Sequence, residues 1–168
     1  MVTRFRDANL PGPLGKTAEA CLLVPEAGPA SETARLLAEH AFRLGQNSYW
    51  VHWLHLVRGL AEYRAGHFES AIEWSGKSIG QPTMVTGPRP DPAAYSILAM
   101  AQQQLHHPDE ARAALAKGAD IVNTKLLKLE NAALDENWVD WLIAHALLRE
   151  AQGLIAQAAP SGNPSTEK

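Results

Sequence analysis

The residue types best suited to chemistry fall in two places. Gly12-Pro-Leu-Gly15-Lys16-Thr17 ends like a phosphate-binding loop, in which backbone amides cradle phosphate, a lysine reaches it and a threonine meets magnesium. The spacing fails: the loop needs a glycine at position 10, where Leu10 stands, and a strand before it, which the polar stretch from Thr3 to Asn9 does not supply. His52 and His55, three residues apart on one helix, could share a metal, but zinc asks for a third protein ligand and the glutamate of a His-Glu-x-x-His motif is missing. His106 and His107 point to different sides of a turn, and Glu62, Glu69 and Glu73 are spaced like a solvated helix edge. No Ser-His-Asp or Cys-His arrangement can be nominated. The expectation is a chain with no catalytic residues, no metal site and no cofactor.

The elements that would have to position any site are all helical. Proline and glycine cut the text into blocks, and inside the blocks apolar residues recur every three or four positions, never in sustained alternation. Helices are expected over 16–24, 31–45 with Ser31 as N-cap, 48–65, 68–79, 93–105, 108 to about 127, and 138 to about 158. Four prolines and a glycine make 81–92 a loop, and 131–137 is a polar break. Residues 1–16 are expected to be irregular, 17–159 to form one helical domain, and 160–168 to be a disordered tail.

Composition narrows the class further. With 168 residues, 46% hydrophobic and 20% charged, the chain has the make-up of one soluble globular domain. A formal charge of −3 gives no field to hold nucleic acid or an anionic membrane. No stretch approaches the roughly 18 apolar residues of a membrane span, and no apolar leader precedes Pro11, so a cytoplasmic protein is expected. The single cysteine, Cys21, excludes an intrachain disulfide and reads as a small core residue. Five tryptophans stand out. Trp50 and Trp53, and Trp138 and Trp141, are each one helical turn apart; Trp138, Trp141, Leu142, His145, Leu148 and Gln152 run along one side of the last helix.

Two blocks overlay with an offset of 40 residues: Gly59-Leu-Ala-Glu-Tyr-Arg-Ala-Gly-His-Phe-Glu-Ser-Ala71 and Ala99-Met-Ala-Gln-Gln-Gln-Leu-His-His-Pro-Asp-Glu-Ala111. This pattern resembles the tetratricopeptide repeat (TPR), a helix-turn-helix unit in which a small residue on the first helix meets an alanine on the second. Gly59 and Ala71 match those positions in one unit, Ala99 and Ala111 in the next, and Ala34, Ala38 and Ala41 suggest an earlier one. Arg58 and His106 depart from the pattern, and the six residues beyond the 34-residue period fall in the Pro-rich loop. With Ala111-Arg-Ala-Ala-Leu-Ala-Lys-Gly118 and the ending from Trp138 to Ala151, the text is also similar to the C-terminal repeat region of some bacterial serine/threonine protein kinases. It lacks the kinase signatures themselves, a His-Arg-Asp loop, an Asp-Phe-Gly and a glycine-rich phosphate cover.

The resemblance implies a short right-handed α-solenoid of about three helix pairs with a C-terminal capping helix. It also implies a non-catalytic protein-protein interaction module that binds a protein or peptide, with no nucleic acid or membrane partner. First-helix positions of such repeats line the concave face; here these are Trp53, Leu56, Leu60, Tyr63 and Arg64, then Ala93, Ser96, Met100, Gln103 and Gln104. Self-association into a homodimer through the tryptophan-rich ends is the alternative, and a small helical enzyme or ligand binder at His52 and His55 comes last.

Overall fold

A computed structural model describes residues 10–25, 29–80, 91–129 and 138–158. Seven helices account for most of them: α1 (Pro11–Leu22), α2 (Pro29–Gly45), α3 (Val51–Arg64), α4 (Phe68–Ser78), α5 (Asp91–Gln104), α6 (Pro108–Leu129) and α7 (Trp138–Ala158). No strand occurs among the described residues.

The first helix starts five residues earlier than its sequence suggests. Pro11 takes the N1 position, where its missing N–H is not needed, after an extended Leu10. The glycines that looked like breakers are helical, and Thr17 donates its hydroxyl to the Pro13 carbonyl at 2.8 Å, so Gly12 to Thr17 is one wall of a helix and not a loop around phosphate. Gly15 is there for close approach: a Cβ on it would stand 2.5 Å from the Trp53 ring of α3. The second helix likewise begins before the expected Ser31, at Pro29. Cys21 is exposed, not core. The expected loop from Gln81 to Pro92 ends earlier than predicted, since Asp91 and Pro92 already belong to α5; residues 81–90, the polar break at 131–137, positions 1–9 and the expected tail at 160–168 lie outside the described residues.

The two overlaid blocks fold alike down to single hydrogen bonds. After α3, Gly66 turns the chain with φ +81°, Gly66 N–H bonds to the Tyr63 carbonyl and His67 N–H to the Glu62 carbonyl. Forty residues on, His106 takes φ +61° in the same place, and His106 and His107 donate to Gln103 and Gln102. Glycine enters this left-handed region freely, whereas a histidine there is held by its surroundings. Side chains repeat as well: His67 Nδ1 lies 2.8 Å from Glu62 Oε2, and His107 Nδ1 lies 2.9 Å from Gln102 Oε1. The small-residue contact is equally clear. A Cβ on Gly59 would stand 2.6 Å from Ser75 Oγ and 3.5 Å from the Ala71 carbonyl, so α3 and α4 approach as closely as their backbones allow.

Consecutive helices pack as neighbours, α1 on α2, α3 on α4, α5 on α6, and the odd-numbered helices also touch in series, α1 to α3, α3 to α5, α5 to α7. One apolar cluster joins them. It runs through Leu14, Ala18 and Leu22 of α1, Leu54, Val57 and Leu60 of α3, Ile97 and Met100 of α5, and Ile143, Ala144, Leu147 and Ala151 of α7. Burying side chains of this size stabilises by about 1.5–3 kcal/mol each before chain entropy is counted.

Candidate interaction surface

The face lined by the odd-numbered helices is occupied by the chain itself. Leu56, Leu60 and Met100 are 4%, 1% and 0% exposed, so these three expected anchors are core residues. Ala93 and Ser96 are buried too, with Ser96 Oγ donating to the Pro92 carbonyl at 2.9 Å. Neighbouring helices cover this face: α3 packs on α4, and Gly118 of α6 lies against Tyr95, Pro92 and Ser96 of α5. The last helix, α7, which the sequence casts as a cap, packs along α5 and reaches both α3 and α1 through two polar clips.

The first clip gathers Lys16, Glu19, Trp53 and Asp140. Trp53 donates Nε1–H to Glu19 Oε1 at 3.0 Å, and the Lys16 ammonium, 4.7 Å from the centre of the Trp53 ring, bonds Glu19 at 3.1 Å and Asp140 of α7 at 3.3 Å. Burial raises the Glu19 carboxyl above its ordinary value, against the lowering effect of Lys16 and of the indole N–H. Partial burial would lower Lys16, but Glu19 and Asp140 together overcome it and raise it. The second clip is Arg64. Its Nε donates to the Leu22 carbonyl at 2.8 Å, and its two terminal nitrogens fork onto the carboxylate of Glu150, one of them at 2.7 Å. A fork of this kind fixes orientation as well as distance. Tyr63 hydrogen-bonds the Gln104 side chain, and burial raises its hydroxyl above the ordinary tyrosine value. Thus Trp53, Tyr63, Arg64 and Gln104 are each tied to another helix, and Gln103 is half-buried.

Glu62 also departs from expectation. It is buried, not part of a solvated edge, and takes Arg58 at 3.0 Å and His67 at 2.8 Å, while Glu69 and Glu73 are exposed. His52 and His55 have ring centres 6.3 Å apart. His55 instead belongs to an aromatic cluster with Phe42 and Trp74, at 5.4 and 5.6 Å, over which Arg58 and Lys77 lie on the Trp74 ring. Burial lowers the His55 imidazole below its ordinary 6.5, opposed by a hydrogen bond to the Lys77 backbone and reinforced by the charges of His52 and Lys77. Among the described residues no group of three or more His, Cys, Asp or Glu is placed to hold a metal ion.

Besides Leu10, Val24, Leu36 and Leu44, exposed large apolar side chains stand together at two places that periodicity did not separate from the core. At the start of α3, Tyr49, Trp50 and Trp53 form a ladder of rings with centres 4.5 and 5.9 Å apart, and Tyr49 and Trp50 are 62% and 39% exposed. At the start of α7, Trp138, Val139 and Leu142 stand in solvent while Trp141 and Leu148 are buried, so the expected single stripe of the last helix is divided between two faces. Tyr49 carried no signal in the sequence, because one aromatic residue in a turn has no period. No family model matches the chain, and neither curated proteins nor solved structures yield a match. No helix among the described residues is long and apolar enough to cross a membrane.

Proposed function

We propose that this chain is a non-catalytic protein-interaction module built from TPR-like helix pairs, and that it meets its partner through the aromatic edge at the start of α3. The ring ladder Tyr49–Trp50–Trp53 carries the reading: Tyr49 lies tilted on Trp50, Trp50 meets Trp53 edge to face, and Trp53 is itself tied to Glu19. Pre-ordered tryptophan and tyrosine lose little entropy on contact and are the residues on which binding energy concentrates. The edge takes over the role that the concave positions would have in an open repeat array. Support for the TPR-like pairing comes from the hydrogen bonds repeated at an offset of 40 and the Gly59–Ala71 approach.

A relation to the C-terminal repeats of bacterial serine/threonine kinases belongs to the same proposal, and the reading frame directly upstream of this chain tests it. A kinase domain there is expected; an unrelated frame removes that part. The edge is tested by placing a photo-activated cross-linking residue at position 50 or, as control, at the exposed Arg112 of α6. One defined protein adduct from position 50, lost in a Tyr49→Ala chain of unchanged helicity, is the expected outcome. Equal adducts from both positions would overturn it.

A further inference from the structure

A helix that closes a stack of helix pairs ordinarily turns a polar face outward. The outward face of α7 is apolar instead. Trp138, Val139 and Leu142 are 48%, 42% and 57% exposed, and Ala146, one turn beyond Leu142, is exposed as well. The helix cannot roll to hide them, because Trp141, Ile143, Ala144, Leu147, Leu148 and Ala151 fix its other side in the core and the clips at Asp140 and Glu150 pin it in its first turn and past its middle.

We propose that this face is a self-association surface, on which a second copy of the chain docks through its own α7, antiparallel, about a two-fold axis at Leu142. The order of side-chain sizes selects a second copy as the occupant. Trp138, Leu142 and Ala146 follow at four-residue spacing, large, medium, small, on one line of the helix. Reversed on itself about Leu142, the line sets Trp138 of each copy over Ala146 of the other and Leu142 against Leu142, which is the self-complementarity a two-fold interface demands. Charge agrees. Among the described residues, Glu150, the next at four-residue spacing, is already forked by Arg64, and the exposed Arg149, three residues past Ala146, comes to lie near Trp138 of the other copy, where a guanidinium is attracted to an indole face. The two Arg149 side chains are then about 20 Å apart along the axis, at about 1.5 Å per residue, and do not oppose each other. Trp138, Val139 and Leu142 offer on the order of 300 Å² per copy, against about 800 Å² for a stable interface, so the dimer is a weak one.

The proposal does not depend on the aromatic edge of α3 and can fail without it. Its test is sedimentation velocity of the full chain from about 1 to 200 µM, the range over which a small interface is populated. The wild type is expected to pass from monomer to dimer and stop there. Leu142→Glu, which faces like charges across the axis, should weaken the dimer at least tenfold, and Arg149→Ala less than that. Ala146→Trp decides specificity, since it adds apolar surface while filling the socket for Trp138. It should weaken association at unchanged far-ultraviolet circular dichroism. A wild type that stays monomeric, or an Ala146→Trp chain that associates as well as or better than wild type, would overturn the proposal.

Discussion

Arg64 shows what a single side chain does here. Its Nε bonds Leu22 of α1 and its fork bonds Glu150 of α7, so one guanidinium joins three helices at a site where it is almost wholly buried. Replacing it with methionine keeps the stem but strands the carboxylate and a carbonyl, and should cost about 2–4 kcal/mol in urea unfolding. Glu150→Gln should cost less, because Leu22 keeps its donor, and the double-mutant cycle should give a coupling of about 1–3 kcal/mol. His55 makes a prediction in pH. Its folded pKa lies below the unfolded 6.5, so its neutral form is the one the fold accepts; its contribution is complete above 6.5 and is lost as the pH falls from there toward the folded value. Stability measured by denaturant should decline over that range in the wild type, and His55→Phe should flatten the decline. That Arg64 is a clip could not be read from the chain, since its partner Glu150 is 86 residues away.

At the scale of elements, the α3–α4 pair rests on one glycine. Gly59→Ala would gain helix propensity of up to about 1 kcal/mol but press a methyl group to 2.6 Å from Ser75 Oγ, so a net loss of about 1–2 kcal/mol is expected. Ser75 Oγ is buried without a hydrogen-bond partner, so Ser75→Ala should be neutral or stabilising. In the pair of substitutions the methyl group takes the space that the hydroxyl leaves, and thermal unfolding should show Gly59→Ala largely rescued. Element positions were mostly legible, because the 3.6-residue period and the Gly66 and Pro108 punctuation are local signals. The start of α1 was not. Two prolines and two glycines there read as a loop, and only the docking of Gly15 on Trp53 shows why a glycine sits inside a helix.

For the whole molecule the decisive element is α7. A chain ending at Leu129 would leave Leu14, Leu54, Ile97 and Met100 without the apolar residues of α7 that complete their cluster. Its helicity by circular dichroism should fall by more than the 21 residues of α7 account for, because the remaining helices lose a shared core and not merely a neighbour. The sequence by itself determined an all-helical chain, the turn geometry at Gly66 and His106 and the close α3–α4 approach, because each of these is set by residues near one another in the chain or by a repeat that can be overlaid. Only the tertiary structure decided which apolar face meets water. Leu60 and Met100 look like groove anchors until the other helices pack over them, and Trp138 and Trp141 look alike until α7 takes one orientation. A helical period says that one side of a helix is apolar, but what covers that side is set by contacts between residues far apart in the chain, which no local pattern encodes.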